Sequence, residues 1–331
     1  MGLQAVVLAE VVRGGHVESV HGGAVAVCDA DGRTVLTLGD VEGPAFPRSA
    51  VKAIQALPLI ETGAADALGL GDAELSLACA SHSGEPGHVE TAGRMLAAAG
   101  LTGTCLECGG HWSSRQPVLI EQARRHADTP PAIYNNCSGK HSGMVCTAAH
   151  LGEDPTGYIR HEHPVQERVR AALEEVTGAP HDDRCRAVDG CSIPTYAVPL
   201  AAMARGFARM AAGALAPNRA AAARRLLGAC MAEPWHMAGT DRFCTLLMRA
   251  LPGRIFAKTG AEGVFCGALP DLGLGFALKC HDGGTRAAEV ATAALCRRLL
   301  EADALTPLAE PTLRNWNGIV VGSIRPGRDL L

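Results

Sequence analysis

The stretch Arg48-Ser49-Ala50-Val51-Lys52 places a serine three residues before a lysine, at the start of a predicted helix. At that spacing two side chains lie one above the other on one helix face. A serine hydroxyl becomes a nucleophile when a neutral lysine removes its proton. A lysine is neutral near pH 7 only where burial or nearby cations lower its pKa by about three units, or about 4 kcal/mol. The pair therefore predicts a pocket. The simpler alternative is a helix-capping serine beside a solvated lysine.

The composition describes a chain that can bury a large core and that lacks a basic surface. Its 331 residues are enough for two ordinary domains or one two-part domain. The formal net charge is -4 and the sequence pI is about 6.3, which argues against a nucleic-acid partner. No apolar run approaches the roughly 20 residues that span a bilayer, and Met1-Gly2-Leu3-Gln4 lacks a basic segment before a hydrophobic one. We expect a cytoplasmic protein with a small-molecule substrate and no membrane partner.

The thirteen cysteines are spread over the whole length and are odd in number. Several have apolar neighbours, such as Cys28 after residues 24–27 and Cys244 beside Phe243. This usage is typical of reduced, buried thiols rather than of a disulfide framework.

Strand patterns occur at both ends of the chain, with helical periodicity between them. The expected strands cover residues 5–12, 17–27, 33–38, 254–258, 264–268, 274–279 and 319–321, and the first hairpin turns at residues 29–32. The expected helices cover residues 89–99, 118–126, 165–176, 197–212, 220–231 and 288–300. Two strand-like runs, residues 75–81 and 186–191, interrupt the helical middle.

This order predicts an α+β fold in two lobes. Strands from the two ends of the chain would form one antiparallel sheet, packed with helices, in a lobe of about 1–62 and 253–331. The mostly helical lobe would cover about 63–252. The closing residues 327–331 are expected to be a frayed end.

Lys258-Thr259-Gly260 ends a predicted strand late in the chain. Serine-acylating enzymes combine Ser-x-x-Lys at a helix start with a later Lys-Thr-Gly. A strand that ends in lysine and a small residue lets a substrate approach the backbone, and the second amine either keeps Lys52 neutral or anchors a carboxylate. The two motifs together therefore favour catalysis.

Ser81 and His82 follow the apolar run of residues 75–80. Ser81 could relay a proton between the two lysines, or it could cap the helix expected near His88. A Ser-His triad is disfavoured, because neighbouring side chains on an extended segment point to opposite faces.

The polar stretch from Tyr134 to Met144 contains Gly139-Lys140-His141-Ser142, which is typical of a phosphate loop. The upstream glycine of that signature is missing, because Tyr134 occupies its position. The stretch more plausibly opens a helix whose free N–H groups could hold a carboxylate.

Cys137 and Cys191 each lie beside a turn in polar or glycine-rich surroundings. Two thiolates with one further nitrogen or oxygen ligand could hold zinc. The spacing of Cys137 and Cys191 does not match a zinc signature. The closer pair Cys105 and Cys108 has the spacing of one half of such a signature, but the second pair of ligands is missing. Asp189 could anchor an ammonium group or could be an exposed loop carboxylate.

Taken together, these segments resemble a known family, the asparaginase II proteins, which are L-asparaginases of the thermolabile rhizobial type. The resemblance spans nearly the whole chain and rests on residues 47–52, 79–85, 135–141, 188–191 and 257–260. It implies a fold like that of serine β-lactamases and glutaminases.

The resemblance also implies roles at matching positions. Ser49 would attack the side-chain amide of L-asparagine with Lys52 as its base, and Ser81 with Lys258 would form a second serine–lysine tandem. Zinc would be held by three residues, Cys137, Lys140 and Cys191. The substrate and its surroundings would be contacted by Arg48, Asn136, His141 and Asp189. The family further suggests a homodimer.

Two kinds of alternative remain. A second enzyme hypothesis keeps the same catalytic groups but takes glutamine or a β-lactam as substrate. A hypothesis of another class is a zinc-dependent amino-acid-binding protein without turnover. The presence of Ser49, Lys52 and Lys258 argues against that last hypothesis.

Overall fold

A computed structural model describes residues 5–331. Residues 1–4, on which the expectation of a missing leader segment rests, lie outside the described residues. The strands are β1 (Val6–Arg13), β2 (His16–Cys28), β3 (Thr34–Leu38), β4 (Pro44–Ala45), β5 (Arg186–Val188), β6 (Pro194–Tyr196), β7 (Val198–Pro199), β8 (Phe256–Gly260), β9 (Val264–Leu269), β10 (Leu274–Cys280), β11 (Thr312–Arg314) and β12 (Val320–Pro326).

The α-helices alternate with short 3-10 turns. They are α1 (Lys52–Gln55), α2 (Leu57–Glu61), α3 (Ala64–Ala67), α4 (Asp72–Ala78), α5 (Pro86–Ala98), α6 (Gln116–Arg125), α7 (Ser138–His150), α8 (Pro164–Thr177), α9 (Leu200–Ala212), α10 (Pro217–Ala232), α11 (Pro234–Ala238), α12 (Phe243–Ala250), α13 (Thr285–Leu300) and α14 (Thr306–Ala309).

The chain forms two compact units. The sheet unit comprises the chain up to Ala50, Val198–Ala212 and Leu246–Leu331. The helical unit comprises Val51–Ala197 and Gly213–Thr245. These bounds differ from the lobes expected from the sequence in three respects. Residues 51–62, with Lys52 and helices α1 and α2, belong to the helical unit instead of the sheet lobe, and residues 246–252 belong to the sheet unit instead of the helical lobe. Helix α9 belongs to the sheet unit, although it lies in the middle of the helical stretch of the chain.

The sheet unit is organised around one sheet that, within residues 5–331, has eight strands in the order β11-β12-β1-β2-β10-β9-β8, with β3 also paired to β2. Strand β1 near the start pairs antiparallel with β12 near the end, so that Ala9 lies opposite Pro326. Strand β10 pairs antiparallel with both β2 and β9. The two ends of the chain therefore share one antiparallel sheet, as the strand patterns predict.

The centre of this sheet is buried on both faces. Residues 24–28 of β2 are all buried, although they alternate in direction along the strand. Helix α9 packs on β2, β9 and β10, and helix α13 packs on β1, β9, β10 and β12. Gly275 of β10 permits this contact, because a Cβ atom there would lie 2.1 Å from the carbonyl oxygen of Ala204 in α9.

The helical unit is built around α7, of which residues 138–148 are all buried. Helix α4 and helix α5 both pack on α7, and α10 packs on α4 and α2. A helix that is buried on all sides reads in sequence as an apolar or small-residue run without a clear polar face. The short two-stranded sheet of β5 and β6 leads the chain past Asp189 and Cys191 within this unit.

The fold class is α+β, which confirms the expectation, but residues 75–81 are not a strand. They belong mainly to helix α4, in which Leu75, Ser76, Leu77 and Ala78 are all buried. The side chain of Glu74 accepts from the backbone N–H of Gly71 at the helix start. The Leu-Ser-Leu alternation imitated a strand because a fully buried helix shows no polar face.

The end of the chain is also not frayed. Residues 328–330 form a 3-10 turn and Leu330 is 0% exposed, because the turn packs on β1 and α13. The thiols agree with the sequence: all thirteen cysteines of the described range are free, and all but Cys105 and Cys185 are buried.

Because only one of the last two residues is packed, we expect their substitutions to have different effects on the free energy of unfolding. Leu330→Ala should lower the free energy of unfolding by about 2–5 kcal/mol, because it leaves a cavity in a closed site. The matched control Leu331→Ala removes a side chain that is 58% exposed and should change that free energy by less than about 0.5 kcal/mol. Urea unfolding measures both values, and two equally small changes would contradict the packed end.

Candidate active site

Lys52 is the first residue of α1 and is 0% exposed. Its Nζ atom contacts three acceptors: the carbonyl oxygen of Ala80, Ser81 Oγ at 3.0 Å and Cys137 Sγ at 3.1 Å. Three acceptors match the three N–H groups of a lysine ammonium. A neutral amine has only two N–H groups and one lone pair, so one of the three partners must donate a hydrogen bond to Lys52 Nζ instead of accepting one. A carbonyl cannot donate one, whereas the Ser81 hydroxyl can.

His82 beside Ser81 serves a structural purpose. The backbone N–H of Gly84 donates to His82 Nδ1 at 3.0 Å, so that nitrogen is unprotonated. His82 Nε2 then carries the proton and donates to Ser138 Oγ at 2.9 Å. Burial holds the pKa of His82 well below its usual range. A neutral ring whose two nitrogens are both engaged cannot serve Ser81 as a triad base.

Ser81 does not cap the next helix. Helix α5 begins at Pro86, and the residue before it, Glu85, has its backbone N–H bonded to His88 Nδ1. Ser81 is buried and receives the Lys52 contact instead, while its backbone N–H donates to Met237. The capping alternative is therefore wrong for this serine.

Cys137 occupies the residue before α7, where helix N–H groups are unpaired. Its own backbone N–H donates to Asn135 Oδ1 at 2.7 Å. Asn135 Nδ2 in turn donates to the carbonyl oxygens of Cys108 and Gly109 at 3.0 and 2.8 Å. This saturated amide fixes the start of α7 and, with it, the Cys137 sulfur.

Lys140 lies one turn further along α7 and is 2% exposed. Its Nζ atom is 2.9 Å from Cys191 Sγ. The Cys191 S–H has two acceptors within reach, Cys137 Sγ and Asp189 Oδ2, the latter at 3.3 Å. Asp189 itself is half-buried. Two short segments that are about 50 positions apart in sequence, one with Cys137 and Lys140 and the other with Asp189 and Cys191, therefore meet in the helical unit.

The two thiols and the two amines of this cluster shift one another's pKa values. The hydrogen bond from Cys191 lowers the pKa of Cys137 well below its usual range, and the amines of Lys52 and Lys140 lower it further. That shared proton, together with burial, raises the pKa of Cys191. Burial opposes a charge on Lys140, yet the sulfur of Cys191 raises its pKa overall. Two amines therefore stabilise negative charge on buried sulfur.

The residues Cys137, Lys140 and Cys191 fit a zinc ion by their donor chemistry. Zinc prefers sulfur and nitrogen ligands in a tetrahedral arrangement, and a site with three protein ligands keeps one open position. Both thiols and the amine are buried and already in contact through hydrogen bonds that a metal ion would replace. A lysine ligand must lose its proton, which a bound cation can enforce.

A second group of possible metal ligands lies in the sheet unit, where His21, Cys280 and Asp282 approach one another. Arg286 Nε donates to His21 Nε2 at 3.2 Å, so the ring proton must sit on Nδ1. That proton faces Asp282 Oδ2 at 2.6 Å. The arrangement is therefore a satisfied Arg–His–Asp chain, and a metal ion at Nδ1 would have to displace its proton.

In the sheet unit, Ser49 is half-buried in the 3-10 turn Arg48–Val51, which runs directly into α1. The preceding Arg48 is half-buried and has a φ of 50°. An L-residue in this left-handed region costs about 1–2 kcal/mol, and such strain concentrates at functional sites.

Lys258 lies in β8 and is 1% exposed, with its Nζ atom donating to the carbonyl oxygen of Thr259 at 2.7 Å. Gly260 follows at the end of the strand. A Cβ atom there would lie 2.5 Å from the carbonyl oxygen of Pro47 and 3.2 Å from the nitrogen of Ala50. Only glycine lets the Lys-Thr-Gly strand lie directly against the turn that carries Ser49.

Two other residues named from the resemblance have well-defined surroundings. Asn136 is half-buried, and its backbone N–H donates to His111 Nε2 at 3.0 Å. His141 is 0% exposed, and its Nδ1 lies 2.5 Å from Tyr158 Oη. Burial, and then the charges of Lys140 and Lys52, hold the pKa of His141 well below its usual range.

The structure thus places eight of the eleven residues named from the sequence in the helical unit: Lys52, Ser81, Asn136, Cys137, Lys140, His141, Asp189 and Cys191. Ser49, Arg48 and Lys258 belong to the sheet unit. Sequence reasoning missed Asn135 and His111 as anchors of α7, and it missed Tyr158 entirely. No spacing pattern marks that tyrosine, which follows an ordinary Pro-Thr-Gly turn.

A family model described as L-asparaginase II matches residues 9–326. The chain belongs to the L-asparaginase II family. Membership supports an amidohydrolase acting on a small molecule. Comparison with curated proteins gives no match.

Three solved structures share a distant similarity with this member of the family. A candidate β-lactamase from Bacteroides dorei DSM 17855 is 12% identical, with 79% of this chain and 85% of that chain covered and a TM-score of 0.41. A protein called Mglu is 16% identical, with 86% and 67% covered and a TM-score of 0.38. A β-lactamase from Mycobacterium bovis is 14% identical, with 83% and 94% covered and a TM-score of 0.35.

None of these scores reaches 0.5, so the three similarities carry no inference about activity. Within residues 5–331, no helix combines the length and the apolar character that crossing a membrane requires.

Proposed function

We propose that this chain is an L-asparaginase that hydrolyses L-asparagine to L-aspartate and ammonia through a serine activated by lysine. The proposal is carried by one observation, the fully buried Lys52 amine in contact with Ser81 Oγ and Cys137 Sγ. A buried amine beside a hydroxyl can act as a general base when it is neutral. Membership of the L-asparaginase II family indicates that the substrate is an amide.

In this proposal Ser49 is the nucleophile and Lys52 is its base. Ser49 Oγ attacks the side-chain carboxamide carbon while its proton passes to the neutral amine, and a tetrahedral oxyanion forms. Backbone N–H groups at the start of the helical segment would stabilise the oxyanion. The carbon–nitrogen bond then breaks, and the leaving nitrogen takes the proton from the lysine to depart as ammonia. Water hydrolyses the acyl-serine and releases aspartate.

Ser81 and Lys258 form the second serine–lysine tandem of the proposal. Ser81 is the partner of Lys52 that can reverse its hydrogen bond when the amine is neutral, so it can pass a proton to or from that amine. Lys258 would add a positive charge that favours a neutral Lys52. We infer that Arg48, Asn136, His141 and Asp189 bind the α-amino and α-carboxylate groups of the substrate or orient the groups that do.

Cys137, Lys140 and Cys191 are proposed to hold zinc. The ion would supply a Lewis acid and an open coordination position beside the substrate. The two sulfurs and the amine would hold the ion, and Asp189 Oδ2, which lies 3.3 Å from Cys191 Sγ, could accept hydrogen bonds next to these ligands. A homodimer and a cytoplasmic location stay predictions.

Glutamine or a β-lactam would require the same catalytic groups, so substrate identity needs direct comparison. We expect the purified protein to release ammonia from L-asparagine with a kcat/KM at least about tenfold above that for L-glutamine, and to leave a chromogenic lactam intact. A protein that binds asparagine tightly and releases no ammonia would be the non-catalytic binding protein instead.

The variant Ser49→Ala tests the nucleophile. Without the hydroxyl no acyl-serine can form, so ammonia release from asparagine should fall by at least about 10³-fold while the far-ultraviolet circular dichroism stays unchanged. Ser323→Ala removes another half-buried hydroxyl of the sheet unit and should keep full activity. Turnover in Ser49→Ala equal to that of the control would remove Ser49 from the mechanism.

The variant Cys137→Ser tests the metal site. Elemental analysis of the wild-type protein should give about one zinc per chain, and the serine variant should lose it because a neutral hydroxyl is a much weaker zinc ligand than a thiolate. Cys146→Ser is the matched control, since Cys146 is buried on the same helix and its Sγ donates to Met95. Equal zinc content in both variants would contradict the assignment.

A further inference from the structure

Tyr158 lies in a turn outside the motifs that define the site, yet its hydroxyl contacts His141. Tyr158 Oη is 2.5 Å from His141 Nδ1, and the rings meet edge to face with centroids 5.4 Å apart. Both side chains are 0% exposed. The other ring nitrogen, His141 Nε2, is buried and has no hydrogen-bond partner within residues 5–331.

The contacts of Tyr158 decide which nitrogen of His141 carries the proton. The backbone N–H of Glu107 donates to Tyr158 Oη at 3.0 Å. An amide can only donate, so the phenolic proton remains available for His141 Nδ1. The ring proton then sits on Nε2, and one buried group lacks a partner. With the proton on Nδ1, both Nε2 and the tyrosine O–H would lack one. The Nε2–H form is therefore favoured.

Tyr158 is held rigidly enough to impose that choice. Gly157 N–H donates to Glu107 Oε1 at 2.6 Å, so Glu107 contacts the turn with both its side chain and its backbone. From helix α8, Gln166 Nε2 donates to the carbonyl oxygen of Tyr158 at 2.9 Å. Three fixed contacts from two segments leave the phenol little freedom to turn away from His141.

The position of His141 places this donor in the candidate active site. His141 follows Cys137 by four residues and therefore lies on the same face of the α7 segment. It also directly follows Lys140. A buried donor on this face, without an acceptor in the described protein, is free to donate to an acceptor that a bound ligand carries.

We propose that Tyr158 is a positioning residue that fixes the His141 proton on Nε2, and that this N–H donates to a carboxylate oxygen of the bound amino acid. The nature of that ligand rests on the proposed function, whereas the proton assignment does not. The oxygen is one that does not react, so the donor should favour substrate and transition state alike and act on KM rather than on kcat.

The first test combines ring ¹⁵N NMR of histidine-labelled protein with kinetics of Tyr158→Phe. In the wild type without substrate, His141 should show a protonated Nε2 and an unprotonated Nδ1. Tyr158→Phe keeps the ring but should yield a mixture of both forms and raise the KM for asparagine about tenfold, which corresponds to about 1.4 kcal/mol. Its kcat should stay within about threefold of the wild-type value.

Tyr196→Phe is the matched control, because Tyr196 is another buried tyrosine of the helical unit that packs edge-on against a histidine, His181. It should leave both the KM and the His141 spectrum unchanged. A wild-type spectrum with the proton on Nδ1 would overturn the proposal. So would a Tyr158→Phe enzyme with an altered tautomer and an unchanged KM, or one in which only kcat falls.

A second pair of variants applies if Tyr158→Phe does not fold. His141→Gln keeps an amide donor near the position of Nε2, and His141→Asn keeps one near Nδ1. The glutamine variant should stay within about threefold of the wild-type KM, and the asparagine variant should exceed it by about tenfold or more. The reverse order, or equal values, refutes the donor. Absence of asparagine turnover in the wild type would refute the proposed function and leave the NMR test decisive.

Discussion

The burial of the Lys52 amine is the constraint on which the site depends. Removing a charged amine from water costs several kcal/mol unless polar groups replace the lost solvent. The protein supplies three such groups around Nζ: the carbonyl oxygen of Ala80, the hydroxyl of Ser81 and the sulfur of Cys137. Each comes from a helix end, where the backbone has already left regular structure. The end of α4 and the start of α7 are therefore held next to each other around one amine.

A second amine, that of Lys140, repeats this arrangement one helix turn after Cys137. Lys140 contacts Cys191 as Lys52 contacts Cys137, and the two sulfurs share a proton. The result is a compact group of two sulfurs and two amines in which the proton lies on Cys191 and the negative charge on Cys137. Such a group suits both proton transfer to a substrate and the binding of a thiophilic metal ion. Family membership in L-asparaginase II gives this chemistry an amide substrate.

Much of the fold could be predicted because its signals are local. Valine-rich alternation and the turn at residues 29–32 indicate the hairpin of β2 and β3, and the strands at both chain ends pair as expected. The failures have physical reasons. The last four residues of helix α4 are all buried, so its Leu-Ser-Leu run lacks a helical polar face. Leu330 packs through tertiary contacts that an end-of-chain position does not reveal.

The candidate site was less accessible to sequence reasoning alone. Ser-x-x-Lys and Lys-Thr-Gly carry recognisable spacing, whereas the pairing of Lys140 with Cys191 joins residues 51 positions apart and has no local signature. Only the family resemblance suggested that pair. Tyr158 had neither spacing nor resemblance to mark it. Its importance follows from a hydrogen bond and from the buried nitrogen that this bond leaves unpaired.

The most direct test of the account is the variant Lys52→Met, measured for both stability and turnover. The apolar side chain has a similar length but leaves the buried Ala80 carbonyl, Ser81 hydroxyl and Cys137 sulfur without their common donor, so the free energy of unfolding should fall by about 3–5 kcal/mol. Ammonia release from asparagine should at the same time fall by at least about 10³-fold. Wild-type turnover in the folded variant would contradict a catalytic role for Lys52, and an unchanged free energy of unfolding would contradict the dependence of the site on this buried amine.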